Sequence, residues 1–254
     1  MNTTDIYILR KIGLIIIGDE ILLGRRSDKH FSKALDYFKK ISIDISWIYF
    51  LGDDLEQLVD HFRAVRARGE DCFTFGGIGA TPDDLTRQAM AEAHNQKLIR
   101  HPEAVRLIEN QFGPEAYPNR ILMAELPQGA GIIPNQYNNI PGFYCGRIHC
   151  LPGFPEMAWS MLDWVVENRY EVEKTSHDYF KSITVLGAKE SELIELLTDN
   201  QQRFNEVKFS SLPRFPKEGE WHIEIGARGR KKQVEAGFTA LLASLKSSGF
   251  TVAE

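Results

Sequence analysis

A glycine-rich segment between a short apolar run and a helical pattern constrains this chain more than any other feature. Residues 76–86 read Gly-Gly-Ile-Gly-Ala-Thr-Pro-Asp-Asp-Leu-Thr. The apolar run Cys72–Phe75 precedes them, and Leu85, Ala89 and Ala93 recur at helical spacing. The pattern predicts a strand, a glycine turn and a helix. Glycines at such a junction let the backbone approach a ligand closely, and free N–H groups at a helix start suit phosphate.

The same turn carries Thr81, Asp83 and Asp84. A phosphate at ~4 Å from an unscreened carboxylate is repelled by roughly 4 kcal/mol at an effective dielectric constant of about 20. A phosphate site here therefore predicts a divalent cation such as Mg²⁺ or Mn²⁺, which takes hard oxygen ligands. In the alternative interpretation the two aspartates cap the helix, and Thr81 or Pro82 sets its entry. Capping accounts for one aspartate but not for three clustered glycines.

Strand and helix patterns alternate through the first part of the chain. Apolar runs at Ile12–Ile17, Ile43–Phe50 and Cys72–Phe75 predict strands, with helical patterns between them. This order predicts an α/β protein with a parallel sheet that helices cover on both faces. Ligands of such sheets bind outside the carboxyl ends of the strands, which residues 18–20 (Gly-Asp-Glu) and Gly76–Asp84 directly follow. Two acidic turns are therefore expected on one rim of the sheet.

Further along, Phe143–Leu151 predicts a strand, and residues 151–157 predict another junction of strand, turn and helix. Beyond Tyr170 the polar residues 171–178 predict a linker. The remainder predicts the order β-α-β-β-α-β of a small split-βαβ domain, and it contains no obvious catalytic cluster. We therefore expect two domains, residues 1–170 and 171–254.

Charge and cysteine usage exclude several classes of protein. The formal net charge of -5 argues against a main function in nucleic-acid binding. Cys72, Cys145 and Cys150 fit no metal or disulfide pattern, and with no signal peptide they predict reduced thiols in a cytoplasmic protein. The apolar run Ile12–Ile17 is too short to span a membrane. We expect neither a nucleic-acid nor a membrane partner.

Several motifs together match one family. Residues 18–24 resemble its GDELL-x-G signature, residues 76–87 its GGLGPTPDDLTR, and residues 151–157 its LPGVPSEM. Its middle segment is matched by Asn119, Leu126-Pro127, Asn135 and Pro141-Gly142-Phe143. The motifs occur in the correct order over residues 12–168, so the chain resembles the CinA (competence/damage-inducible protein A) family of the MoaB/Mog molybdopterin-binding superfamily.

The resemblance implies a three-layer α/β/α fold that binds a pterin-linked or nucleotide-linked phosphate. The part after Tyr170 resembles the small second domain of CinA-type proteins, and the C-terminal nicotinamide-nucleotide amidase domain of longer members is expected to be absent. A homo-oligomer, a dimer or a trimer, is expected by resemblance only.

The acidic turns and the resemblance together give the candidate site residues. Asp84 matches an aspartate that is functionally important in molybdopterin adenylyltransferase relatives. Asp84, Asp83 and Glu20 are the expected catalytic and metal-binding residues, with Mg²⁺, Mn²⁺ or Co²⁺ as the cofactor and molybdopterin as a further candidate ligand. The residues expected to bind substrate or phosphate are Gly18, Asp19, Gly24, Gly76, Gly77, Gly79, Thr81, Thr86, Asn119, Pro152, Gly153 and Glu156.

Three features depart from the family pattern. Ala80 replaces a proline in the glycine loop, and His30 stands where the family usually has asparagine. Residues 138–140, Asn-Asn-Ile, replace the usual Gly-Thr-Ala. This bulkier segment is expected to narrow the pocket.

Three functions remain open at this point. Some CinA-type domains are metal-dependent pyrophosphatases on ADP-ribose or FAD, so the resemblance favours hydrolysis of a dinucleotide, with Asp19 or Glu156 orienting the water. The second is molybdopterin binding or adenylylation through the same residues. The third is a non-catalytic nucleotide-binding module, which the retention of Asp19, Glu20, Asp83 and Asp84 disfavours.

Overall fold

The computed structural model describes residues 6–9, 11–172, 179–214 and 221–253. The chain divides into two compact units, Met1–Glu173 and Lys174–Glu254. Of the predicted linker 171–178, the first two residues belong to a strand, Tyr170–Val172, which contradicts that prediction, and residues 173–178 lie outside the described residues.

The first unit contains ten strands and six α-helices among its described residues. The strands are β1 (Tyr7–Leu9), β2 (Lys11–Ile17), β3 (Asp44–Leu51), β4 (Asp71–Phe75), β5 (Leu98–Arg100), β6 (Glu125–Pro127), β7 (Gly131–Ile133), β8 (Gly142–Cys145), β9 (Ile148–Leu151) and β10 (Tyr170–Val172). The helices are α1 (Asp19–Leu22), α2 (His30–Lys40), α3 (Leu55–Arg68), α4 (Thr86–Ala93), α5 (Pro102–Phe112) and α6 (Pro155–Arg169). Two short 3₁₀ helices span Gly113–Ala116 and Arg120–Ala124.

A six-stranded sheet in the order β3-β2-β4-β9-β8-β7 forms the centre of this unit. The pairs β2–β3, β2–β4 and β4–β9 are parallel, whereas β8 is antiparallel to both of its neighbours. The mainly parallel sheet confirms the predicted α/β class. Small sheets of two strands, β1–β10 and β5–β6, lie outside it.

Two hydrophobic cores cover the two faces of the sheet and make three layers. Side chains of β2 alternate between them, since Ile15 and Ile17 enter the core with α3, α4 and α5, and Leu14 and Ile16 enter the core with α2 and α6. This alternation follows from the two-residue period of a strand. It explains why β2 is apolar at nearly every position: both of its faces are buried.

The structure divides one predicted strand into two. Phe143–Leu151 was expected to form a strand, but β8 and β9 form a hairpin within it. Gly146 turns the chain with a φ of 58°, a conformation that glycine adopts easily. Because apolar residues lie on both sides of Gly146, the sequence pattern predicts one continuous strand and misses the turn.

A buried polar network lies at the edge where the parallel strands begin. The Tyr170 hydroxyl donates to Asp71 at 2.8 Å, and Arg147 forms an ion pair with the same carboxylate at 2.9 Å. Arg169 donates through Nε to Nε2 of His149 at 3.3 Å. Burial and the Arg169 charge lower the pKa of the fully buried His149 to about 3. This imidazole is therefore neutral at neutral pH.

The second unit has the predicted element order. It comprises β11 (Tyr179–Leu186), α7 (Glu190–Arg203), β12 (Lys208–Arg214), β13 (His222–Gly229), α8 (Lys231–Ser247) and β14 (Thr251–Ala253). Its sheet has the order β12-β13-β11-β14 with antiparallel neighbours, as in a split-βαβ domain. In the part of the chain that the structure describes, no helix combines the length and apolar character needed to cross a bilayer.

Candidate functional site

The glycine loop, residues 76–81, joins β4 to the segment before α4 and is held from both sides. The Gly76 N–H donates to Leu151 of β9 at 3.0 Å. On the other side, the Thr86 hydroxyl donates to the Gly76 carbonyl at 2.9 Å, and the Thr86 N–H donates to the Gly77 carbonyl at 3.0 Å. Thr86 is fully buried. It therefore supports the glycine loop on the side away from the cleft and is not placed to contact a ligand in the cleft.

Arg87 holds the next part of the glycine loop. Its side chain is buried, and Nη2 donates to the Gly79 carbonyl at 2.6 Å. Nη1 donates to the carbonyls of Leu122 and Glu125, more than thirty residues along the chain. Burial lowers the pKa of this guanidinium, and the charge of Asp84 opposes that shift. Arg87 thus fixes the glycine loop to the 3₁₀ segment Arg120–Ala124.

The amides at the two ends of the glycine loop, those of Gly76 and Thr81, are hydrogen-bonded, whereas the four between them are free. Among the described residues, no hydrogen-bond partner occurs for the backbone N–H groups of Gly77, Ile78, Gly79 and Ala80. All of these residues line the same cleft. Consecutive unpaired backbone N–H groups form a concave site for an anion.

Two of the glycines are required by close contacts. A Cβ on Gly76, which has a φ of 113°, would lie 2.3 Å from the Ile17 carbonyl oxygen. A Cβ on Gly79 would lie 2.4 Å from Oδ2 of Asp84. Larger residues at either position would displace the neighbouring turn or the carboxylate.

The two adjacent aspartates differ in their surroundings. Oδ2 of Asp84 accepts hydrogen bonds from the Thr81 N–H, at 2.9 Å, and from the Thr81 hydroxyl. Asp83 is exposed, and hydrogen bonds from Thr81 and from its own backbone lower its pKa. Asp84 therefore closes the turn with one oxygen, whereas Asp83 stands ionised at the surface of the cleft.

Further carboxylates come from the ends of β2 and β3. The Asp19 N–H donates to Asp53 at 3.0 Å, and the Asp53 N–H donates to Asp19 at 3.2 Å. Burial raises the pKa of Asp53, the hydrogen bond from the Asp19 N–H opposes that shift, and the charges of Asp19, Asp83 and Glu20 add to it. The two acidic turns predicted from the sequence therefore lie close enough to interact electrostatically.

A cleft of about 480 Å³ opens above the carboxyl ends of the strands. Its volume falls in the range of small-molecule sites. The predicted site residues that line it are Gly18, Glu20, Gly76, Gly77, Gly79, Thr81, Asp83, Asp84, Pro152 and Gly153.

The other predicted substrate residues lie outside the lining of the cleft. Asp19 braces Asp53, and Thr86 braces the glycine loop. Gly24 lies two residues beyond the end of α1, Asn119 is exposed before the 3₁₀ segment Arg120–Ala124, and Glu156 is exposed in the first turn of α6.

Several lining residues were not among those predicted from the sequence. Asp53 follows β3, so the rule that ligands bind at the carboxyl ends of parallel strands could have included it. The cleft is also lined by Arg26, Ala80, Met123, Asn135, Phe154 and Met157, and by Asn138 and Ile140 of the segment that is expected from the sequence to narrow the pocket. These residues lie far apart in the sequence, and only the tertiary fold brings them together.

One part of the cleft is formed by residues 138–140, the segment that differs from the family pattern. Nδ2 of the buried Asn135 donates to Oδ1 of Asn138 at 2.7 Å and to the Ile140 carbonyl at 3.0 Å. The Ile140 N–H also donates to Oδ1 of Asn138, at 3.1 Å. On its other side, Asn138 donates through Nδ2 to the Met157 sulfur at 3.5 Å.

His30, the second departure from the family pattern, lies behind the Pro152–Gly153 wall of the cleft. Its ring stacks on Phe75 with centroids 4.5 Å apart, and Nε2 lies 3.2 Å from the Gly153 carbonyl oxygen. Burial lowers its pKa, so the ring is neutral at neutral pH. His30 is therefore placed to support this wall and does not line the main cleft.

The metal prediction can be compared with the donor groups of the cleft. Its carboxylates, Glu20, Asp53, Asp83 and Asp84, offer the oxygen ligands that hard divalent cations take, and none forms an ion pair with another described residue. Within the described ranges, however, no three His, Cys, Asp or Glu side chains converge on a single metal position. Mg²⁺ usually binds through one or two carboxylates together with substrate phosphates, and this donor set suits that mode.

Comparison with known proteins gives consistent similarities. A family model described as a probable molybdopterin binding domain matches residues 13–171. A CinA-like protein of Desulforapulum autotrophicum is 31% identical over 220 residues, covering 81% of this chain and 52% of the relative. A protein of Caldivirga maquilingensis is 31% identical over 201 residues, covering 73% of this chain and 74% of that protein.

The similarity extends to a solved structure. The crystal structure of CinA from Thermoplasma acidophilum matches with a TM-score of 0.58 and 25% identity, covering 63% of this chain and 98% of that chain. The chain spans about half the length of the CinA-like proteins that it matches.

Proposed function

The chain belongs to the CinA-like proteins of the molybdopterin-binding domain family, and on this premise we propose that its cleft binds and hydrolyses a phosphate-linked dinucleotide. The observation that carries the proposal is the run of free amides at Gly77–Ala80, beside a rim of carboxylates. The amides suit the phosphate oxygens, and the cleft has room for more than the phosphates alone.

The charge of the cleft supports a role for a cation. Four carboxylates and one guanidinium, that of Arg26, line the cleft. A diphosphate would therefore meet net repulsion unless a cation bound with it. One or two of the carboxylates of Glu20, Asp83 and Asp84 would hold a divalent ion together with the phosphates, and the ion when bound would neutralise those phosphates and lower the pKa of a water molecule.

In the proposed reaction, water attacks one phosphorus of the pyrophosphate, and the bridging P–O bond breaks. ADP-ribose would yield AMP and ribose 5-phosphate, with the proton of the water passing to solvent or to a carboxylate. The glycine-loop amides would hold the phosphate oxygens where negative charge develops. Asp53 lines the same cleft, and because burial raises its pKa it is suited to accept the proton.

The test is AMP release from ADP-ribose and from FAD by the purified chain with Mg²⁺, Mn²⁺ or Co²⁺, and with EDTA. We expect metal-dependent AMP formation that falls at least about a hundredfold in Asp83→Asn and Asp84→Asn. Asp36→Asn, an exposed change on α2, is the matched control and should retain full activity. Intact substrates with all three metals would contradict the proposal.

Pterin binding is the second candidate, and the description of the matching family model favours it. The same amides would then hold the phosphate of a molybdopterin. Protein purified from a molybdopterin-producing host should in that case carry pterin fluorescence. Pterin-free protein that releases AMP from ADP-ribose would favour hydrolysis instead.

A further inference from the structure

The side-chain amide of Asn138 is fixed in one orientation within the cleft. Its Oδ1 accepts hydrogen bonds from Nδ2 of Asn135 and from the N–H of Ile140. Two donors facing the same atom identify it as the oxygen, so the opposite atom is the nitrogen. The amide cannot turn without leaving both donors unsatisfied.

The nitrogen of this fixed amide lacks a strong acceptor. Among the described residues, Nδ2 has one hydrogen-bond partner, the Met157 sulfur at 3.5 Å. A thioether is a weak acceptor, and an amide nitrogen carries two N–H groups. Asn138 therefore presents an unused donor in a cleft that is otherwise rich in carboxylates.

Apolar side chains also line the cleft that Asn138 enters. Met123, Ile140, Phe154 and Met157 line the same cleft. Thioether and aromatic groups pack well against flat rings, and ligand pockets combine such surfaces with a few placed polar groups. A flat ring with an acceptor atom at its edge would satisfy both the apolar side chains and the free amide donor.

We propose that Asn138 is a specificity-determining residue for a planar heteroaromatic base, an inference that rests on the proposed function. Nδ2 of Asn138 donates to a ring nitrogen or ring carbonyl of that base, while the glycine-loop amides hold the attached phosphates. Nucleobases and pterins both have this ring chemistry.

The test compares binding of inorganic pyrophosphate, ADP and GDP by calorimetry in Mg²⁺ buffer. The variant is Asn138→Asp, which retains the oxygen that accepts from Asn135 and Ile140 but replaces the nitrogen donor. Asn139→Asp is the matched control, because Asn139 is exposed and donates to Gln111 outside the cleft. The readout is the ratio of nucleotide to pyrophosphate affinity, in which a general effect of the added charge cancels.

We expect wild-type protein to bind ADP or GDP at least about tenfold more tightly than pyrophosphate, and Asn138→Asp to remove most of that gain. Asn139→Asp should retain it. If pyrophosphate binds but the nucleotides gain nothing, or the gain survives in Asn138→Asp, this inference is overturned and the phosphate site stands. If pyrophosphate does not bind, the proposed function fails, and this inference fails with it.

Discussion

At the scale of single residues, the glycine loop depends on side chains that do not line the cleft. The Thr86 hydroxyl satisfies the Gly76 carbonyl, which is buried. A buried carbonyl that loses its donor costs the full penalty of its desolvation. The free amides of the glycine loop are therefore positioned by hydrogen bonds on its opposite side.

Replacement of Thr86 by valine tests this role with almost no change in shape. We expect Thr86→Val to lower the free energy of unfolding by about 1–3 kcal/mol, because the Gly76 carbonyl loses its donor. Urea unfolding measures the change. Thr198→Val removes an exposed hydroxyl that donates to Ile194 within α7 and should change stability by less than about 0.5 kcal/mol. Equal effects in the two variants would contradict the role of Thr86.

At the scale of elements, α4 connects the glycine loop to a distant segment of the chain. Arg87 joins the Gly79 carbonyl to Leu122 and Glu125, so the helix positions two walls of the cleft at once. A planar guanidinium can serve several carbonyls, which a lysine ammonium cannot do in the same geometry.

Arg87→Met should destabilise the protein and weaken phosphate binding together. We expect a loss of about 2–3 kcal/mol, because carbonyls that accepted from a charged donor lose their partner. Arg87→Lys should fall between this variant and wild type. Arg63→Met, at an exposed ion pair, is the control and should cost less than about 1 kcal/mol. Unfolding curves and pyrophosphate titration of all four proteins measure both effects, and unchanged pyrophosphate affinity in Arg87→Met would refute the coupling.

The elements that the sequence predicts are those governed by local patterns. The strand–turn–helix junction at residues 72–93 has a short apolar run, a glycine turn and a helical repeat, and the structure forms β4, the glycine loop and α4 there. The site was predicted less completely. Arg87 and Asp53 act through partners more than thirty residues away. Among the described residues, the Asn138 nitrogen lacks a strong acceptor because Asn135 fixes the amide and Met157 offers only a thioether. No local pattern carries that information.

At the scale of the whole molecule, the cleft and the buried polar network lie at opposite ends of one sheet. The parallel strands end at the cleft, whereas Asp71 begins β4 and Arg147 and His149 lie at the start of β9. The network keeps His149 neutral in the core. A fall in pH is therefore expected to destabilise the end of the sheet that lies away from the cleft.

His149 should make the protein less stable as the pH falls. The unfolded chain binds a proton below a pH of about 6.5, whereas native His149 stays neutral down to a pH of about 3. Between these values unfolding takes up a proton, so stability falls by up to about 1.4 kcal/mol per pH unit. His149→Gln should reduce this slope, measured by urea unfolding from about pH 7 to 4. An unchanged slope would show that His149 is not the responsible group.

The cleft should function without the second unit. Every described residue that lines it belongs to the first unit, the last being Met157. A fragment of residues 1–173 should therefore bind pyrophosphate within about twofold of the full chain, a difference well below 1 kcal/mol. Calorimetry on both proteins measures this, and a loss of binding in a folded fragment would assign the second unit a part in the site.

The central claim is that the free amides of the glycine loop hold the phosphates. Amide NMR of ¹⁵N-labelled protein, titrated with inorganic pyrophosphate in Mg²⁺ buffer, tests it most directly. We predict that the signals of Gly77, Ile78, Gly79 and Ala80 shift downfield together, because each N–H gains an anionic acceptor, while those of the second unit stay in place. Pyrophosphate binding that leaves these amides unmoved, or no binding at all, would contradict the account.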